Sequence, residues 1–313
     1  MADKGKVCPT SMGGQAVIEG VMMKGPRSYA IAVRKASGEI LVHREQLKGI
    51  DKKYPIFKLP VFRGMFALID TMVLGVKALA FSAEQVEMEG GMEPSRFDKF
   101  LERVFKDKAE QATIYFSVFL SLVLTVGLFI ILPTYLVRFL KFASGGTVFM
   151  NLVEGLLRIG IFLVYLLAVS RMKDIRRVFE YHGAEHKTIH CYEHGEDLRP
   201  ENAARHPRLH PRCGTSFLLI VLVVSIIMFS FIGWPNMAVR IITRILLMPL
   251  VGGISYEIIK WAGRSESLFA RVVRSPGMFL QNLTTREPDS GQLEVAIASL
   301  RAVAGEKEGV SQQ

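Results

Sequence analysis

Within the stretch YHGAEHKTIHCYEHG, residues 181–195, the side chains of His182, Glu185 and His186 form an H-x-x-E-H pattern. On an α-helix, positions i and i+4 lie about 40° apart around the axis and i+3 sits beside them, so all three share one face. Two imidazoles one turn apart can hold a tetrahedral metal, and a neighbouring carboxylate can take a proton from water activated there. The spacing predicts metal-assisted hydrolysis, with Glu185 as the general base.

The same pattern marks the inverted zinc proteases, which makes zinc the expected ion. Further ligands have to come from outside the stretch. HPRCG, residues 210–214, offers His210 and Cys213, an imidazole and a thiolate at close spacing. Glu257, in SYEIIK, is a rival ligand because it follows His186 by 71 residues, a separation like that of the carboxylate ligand in inverted zinc proteases. Its other reading is a salt bridge to Lys260 or Arg244. On a continuous helix His190 and His194 rotate about 80° and 120° away from His182, which predicts solvated rings, as for His206 and His43. Gly195 is placed to end the helix.

The elements that must position these residues are mostly apolar. Half of the 313 residues are hydrophobic, the net charge is +10, and mean hydropathy is +0.28, which together suggest apolar spans with basic flanks. Residues 112–137 and 213–239 contain no charged side chain and exceed the roughly 20 residues that cross a bilayer. Residues 145–170 form a span carrying Glu154 and Arg158, whose i,i+4 spacing lets them pair, and 241–259 form a fourth. In residues 59–85, Arg63, Asp70, Lys77 and Glu84 recur every seven residues as a polar stripe. This predicts an amphipathic helix along the membrane surface or against the bundle, with a fifth span as the other option. Near the N-terminus, YAIAVR and EILVHR flank KASG, a hairpin signal, and the preceding GGQAVIEGVMMKGP reads as a short strand or loop. The fold class is therefore a mainly α-helical polytopic membrane protein of about four spans with a small N-terminal β element. Its divisions are 1–58, 59–111, 112–170, the 171–212 loop, 213–259 and a tail from 260.

Of the 39 Lys and Arg residues, all but Arg138, Lys141, Arg158, Arg240 and Arg244 fall in the N-terminal segment, the 171–212 loop or the tail. Positive segments stay cytoplasmic, so both termini and the histidine-rich loop are expected on the cytoplasmic side of the plasma (inner) membrane. The opening MADKGKVCPTSMGG lacks the apolar core of a signal peptide. Cys8, Cys191 and Cys213 then lie on the reducing side, where thiolate ligation is more plausible than a disulfide. Lys187, Arg199, Arg205, Arg208 and Arg212 surround the site and suit topology control and anionic lipid, or recognition of an anionic substrate group by Lys187 and Arg212. No nucleic-acid partner is expected, and no P-loop, Rossmann or nucleophile-elbow pattern is present. Gln15 and Glu19 are expected to line the site, because the glycines around them permit close approach.

With GGQAVIEGVMMKGP, FRGMFALIDTMVLGVKAL, FEYHGAEHKTIHCYEHG, HPRCGTSF, ISYEIIK and LTTREPD in this order, the chain resembles the YqhQ-like bacterial membrane family built on domain of unknown function 1385. The resemblance implies a metal-dependent enzyme without supplying a reaction. It covers most of residues 10–300, with matching motif positions at 13–26, 182–187, 210–217 and 286–288, and His190 and His194 are not part of the family pattern.

Three readings remain. The first is a zinc-dependent hydrolase at the membrane surface acting on a lipid, a lipid-linked compound or a membrane-protein segment. If His182, His186, His210 and Cys213 all bind, however, the site is closed, whereas a hydrolytic zinc keeps an open position. A closed structural zinc clip in a scaffold protein is therefore the second reading. A transporter or metal carrier, to which the Glu154 and Arg158 pair lends slight support, is the third.

Overall fold

The computed structural model describes residues 10, 12–47, 59–90, 109–139, 146–233, 236–265 and 267–305. Cys8, most of the charged segment before the first span, and the polar tail beyond Gly305 lie outside the described residues.

The N-terminal segment is an antiparallel meander of β1 (Gly13–Val17), β2 (Gly20–Lys24), β3 (Ser28–Arg34) and β4 (Ile40–Gln46), paired in chain order. The KASG hairpin forms as expected, with Arg34 opposite Ile40, and the glycine-rich segment is itself a hairpin that closes with Val17 opposite Gly20. The helices are α1 (Phe62–Gly90), α2 (Ala109–Val126), α3 (Leu132–Phe139), α4 (Thr147–Val169), α5 (Lys173–Glu193), α6 (Pro200–Ala203), α7 (Gly214–Ser230), α8 (Met237–Arg264), α9 (Leu268–Thr284) and α10 (Ser290–Ala304). A π-helical turn, Gly127–Ile131, joins α2 to α3.

Successive strand side chains point to opposite faces, and here both faces are covered. Val21, Met23, Ala30 and Ala32 pack with Tyr181, Ala184 and Ile189 of α5 and with Leu293, Ala296 and Leu300 of α10. Met22, Tyr29, Ile31 and Val33 pack on the other side with Leu74 and Ala78 of α1. Two-sided burial is why β2 and β3 read as nearly continuous apolar runs. The segment expected as a tail thus supplies a core helix, α10, begun by a capping box between Asp289 and Gln292.

Among the described residues, four helical stretches are long and apolar enough to cross a membrane: Phe62–Val86, Phe116–Val137, Val148–Val169 and Met237–Arg264. The expected spans at 213–239 and 241–259 are redrawn. The helix breaks after Ser230, leaving α7 with 17 residues, and α8 begins at Met237 and continues through Pro249 to Arg264. Although α1 has the length of a span, it is held on the sheet from Asp70 onward. Ser82 Oγ accepts the Ile18 N–H, and Lys24 pairs with Asp70 at 2.7 Å. The first half of α1 meets α8 at glycine, where a Cβ on Gly64 would lie 2.8 Å from the Gly253 carbonyl oxygen.

Inside the apolar bundle Glu154 and Arg158 pair as their spacing predicts, at 3.2 Å. Arg240 and Arg244 of α8 close on the same carboxylate, and the Thr134 hydroxyl donates to it at 2.9 Å. Arg158 also donates to the Phe129 carbonyl in the π turn, where the regular helical ladder is interrupted. A single carboxylate therefore holds three buried arginines. Replacing Glu154 by Gln is expected to destabilise the chain by about 3–5 kcal/mol, the cost of leaving buried charge uncompensated. Thermal unfolding in detergent checks this; Arg171→Gln, at an exposed position, is the control expected to leave the melting point unchanged.

Candidate metal centre

Helix α5 is rich in charge and imidazole, yet most of its second half is buried, because sheet, α10 and a returning loop enclose it. Gly195, at φ 68°, ends the helix in the left-handed region, as expected. After α6, residues 204–213 run back along α5 and bond to it rung by rung. The Lys187 ammonium donates to the Ala204 carbonyl at 2.9 Å. His186 Nδ1 lies 2.6 Å from the Arg208 carbonyl, and His190 Nε2 lies 3.0 Å from that of Leu209. Cys213 then arrives beside His182, with Sγ 3.2 Å from Nε2.

Six of the chain's seven histidines form one row through this packing. Ring centroids are 4.5 Å apart for His182 and His186, 5.5 Å for His186 and His210, and 4.7 Å for His210 and His190. His206 continues it, 6.3 Å from His190 and 4.8 Å from His194.

Ligand atoms of His182, His186 and Cys213 lie within 4.8 Å of one another. A carbonyl oxygen can only accept, so the Thr284 carbonyl 2.8 Å from His182 Nδ1 and the Arg208 carbonyl beside His186 Nδ1 put a proton on each Nδ1. That leaves the Nε2 lone pairs for a metal, the outer-shell arrangement typical of histidine ligands. His186 Nε2 is buried with no hydrogen-bond partner, as an atom awaiting a ligand would be. Two imidazoles and a thiol are a donor set suited to zinc rather than to magnesium or calcium.

Glu185 is 4% exposed, with its carboxylate 3.9 Å from His182 Nε2 and the Gly14 N–H turned toward it. Burial pushes its carboxyl above the ordinary range, while His182 and the Gly14 bond act in the opposite direction. β1 reaches the site through Gly14, where a Cβ would fall 2.9 Å from Glu185 Cγ. Burial also holds the His186, His190 and His210 rings toward their neutral forms.

The other expected residues have different partners. His210 lies in the row but converges with His190 and Glu193 rather than with Cys213. Glu257 is taken by Arg63 of α1, which makes it a helix-to-helix tie. Gln15 packs its amide against Gly75, and Glu19 is bound by Arg177 and by the Tyr181 hydroxyl. Lys187 pairs with Glu287, and Arg212 with Glu193 and the Thr10 carbonyl. The expectation that His190 and His206 are solvated is corrected: both are half-buried, since the returning loop covers the flank of α5 that helical geometry left facing outward. His194 is exposed, as expected.

Two residues that sequence reasoning passed over complete the picture. The Gln281 amide accepts the His210 N–H at 2.8 Å and donates to the His210 carbonyl at 2.9 Å, which fixes the loop. Glu193 is 3% exposed and bonds to Thr10 and Arg212. Burial raises its carboxyl, but His210, Thr10 and Arg212 outweigh this and bring it down to about 2. A signal for Glu193 was available, because His190, Glu193 and His194 repeat H-x-x-E-H eight residues after the first copy.

Fold and site together define a helical membrane-type protein with a buried histidine and cysteine cluster where its apolar helices meet a small sheet domain. The chain belongs to the DUF1385 family, whose profile, described as a protein of unknown function, matches residues 59–306. It is 34% identical over 296 residues to the uncharacterized protein YqhQ of Bacillus subtilis (strain 168), covering 93% of this chain and 91% of that one. No solved structure matches.

Two outcomes follow from the geometry. A Cβ on Gly183 would lie 2.0 Å from the Arg286 carbonyl, so Gly183→Ala must push the 284–288 strap off α5. The expected cost is about 1–3 kcal/mol in thermal unfolding. An unfolded histidine takes up its proton near 6.5, whereas the buried rings resist it, so below that value the unfolded chain binds more protons. The melting temperature of the metal-free chain should fall as pH drops through 6.5, and His186→Gln should flatten the slope.

Proposed function

We propose that the chain is a membrane-embedded, zinc-dependent hydrolase. The observation that carries this reading is the three-ligand set of His182, His186 and Cys213 beside a buried carboxylate. With His210 engaged elsewhere, the set leaves a fourth position open, as hydrolytic zinc sites do. When bound, zinc acts as a Lewis acid that activates water at neutral pH.

The chain's own groups supply the rest. Thr284 and Arg208 hold the two imidazoles in one orientation through their carbonyls. Glu185, made more basic by burial, takes a proton from the attacking water and returns it to the leaving group as the scissile bond breaks. Cys213 is the N-cap of α7, so the substrate meets the site at the end of an apolar helix. That placement favours a lipid, a lipid-linked compound or a membrane-protein segment. The distribution of Lys and Arg supports a cytoplasmic site in the plasma membrane, with both termini on the same side.

A structural zinc clip is the second reading, favoured by the same Cys213. A ligand that also caps α7 would let a metal staple α5 to that helix. The two diverge at Glu185. Metal analysis of detergent-purified Glu185→Gln, paired with complementation of a strain lacking the gene, separates them. Wild-type metal content with lost complementation supports the hydrolase, and full complementation leaves the clip. His182→Ala should lose the metal under either reading; retention there would end both.

A further inference from the structure

We infer that the chain carries a second divalent-metal position, formed by His190, Glu193 and His210. Its ligands are distinct from those of the first, so it stands independently of the hydrolase reading.

The second H-x-x-E-H copy places His190 and Glu193 three residues apart on one face of α5. His210 arrives from the returning loop with its backbone held at both ends by Gln281. One ligand atom from each of the three residues lies within 4.8 Å of the others. His210 is 4% exposed, and its Nε2 has no hydrogen-bond partner. That nitrogen is 3.8 Å from the Glu193 carboxylate, too far for a hydrogen bond. Two ligands of one tetrahedral zinc, each about 2.1 Å from the ion, stand about 3.4 Å apart, so the spacing suits a shared ion better than a direct bond.

The remaining donor atoms of His190 and Glu193 are disposed as outer-shell partners require, whereas His210 Nδ1 accepts the Arg212 N–H at 3.4 Å, a long contact that has to open for Nε2 to bind a metal. His190 Nε2 donates to the Leu209 carbonyl, which leaves Nδ1 with its lone pair. Glu193 Oε1 is occupied by Thr10 and Arg212, while Oε2 faces His210. Two histidines and a glutamate are a ligand set of zinc hydrolases, again with room for a fourth group. The ring contact between His186 and His210, at 5.5 Å, sets the two positions side by side along α5.

Cobalt(II) titration of the metal-stripped, full-length chain in detergent micelles tests this, with bound metal counted by elemental analysis. The expected result is two equivalents. One should bring a sulfur-to-cobalt charge-transfer band from Cys213, and the other only ligand-field absorption. His190→Ala and Glu193→Gln should each remove one equivalent and leave the charge-transfer band intact. Cys213→Ser should abolish the band and keep the other equivalent. Because Glu193 also holds Arg212, His190→Ala is the variant less exposed to misfolding. A single equivalent in the unmodified chain that survives His190→Ala would overturn the second position. A single equivalent that lacks the band and is lost in His190→Ala would uphold it while ending the first site.

Discussion

A polar helix at the centre of the molecule is the constraint on which everything else depends. Helix α5 carries Glu185, His186, Lys187 and Glu193 into burial, and each such group costs several kcal/mol unless another group satisfies it. The fold answers from three directions. The sheet brings the Gly14 N–H, the returning loop brings the carbonyls of Ala204, Arg208 and Leu209, and the 284–288 strap brings the carbonyls of Thr284 and Arg286 close to the helix. Among the atoms left over are His186 Nε2 and His210 Nε2, nitrogens that a metal would satisfy.

What was legible in the sequence follows from the kind of signal involved. Helical spacing put His182, Glu185 and His186 on one face, and HPRCG pointed to a return of the chain. The alternating strands around KASG were equally plain. Helical spacing says which side of its own helix a residue occupies but not what covers that side, so His190 was read as solvated when a loop lies over it. Ties made through backbone carbonyls, such as those of Arg208 and Thr284, leave no trace in residue type. Gln281 looks like any polar residue until its amide is seen bridging both backbone groups of His210. The break after Ser230 was hidden because 213–239 is free of charge throughout, and hydropathy cannot locate a turn inside such a run.

The bundle meets a related demand with fewer partners. Glu154 draws on α3, α4 and α8 at once through Thr134, Arg158, Arg240 and Arg244. One acidic residue thereby fixes the relative register of helices whose other contacts are apolar and permissive. The cost of burying these charges is high in any low-dielectric setting, which makes their arrangement specific even where its net contribution to stability is small.

The strap and α10 come after every membrane-type helix in the chain, yet they supply the carbonyl that orients His182 and a large part of the core behind the sheet. During synthesis the first sheet strands emerge hundreds of residues before the helix that closes over them. Until α10 is made, α5 covers only part of one apolar face of the sheet, and His182 lacks its orienting partner until the strap is made. The proposed metal centre would therefore come together only after the strap and α10 had been made, later than every membrane-type helix in the chain.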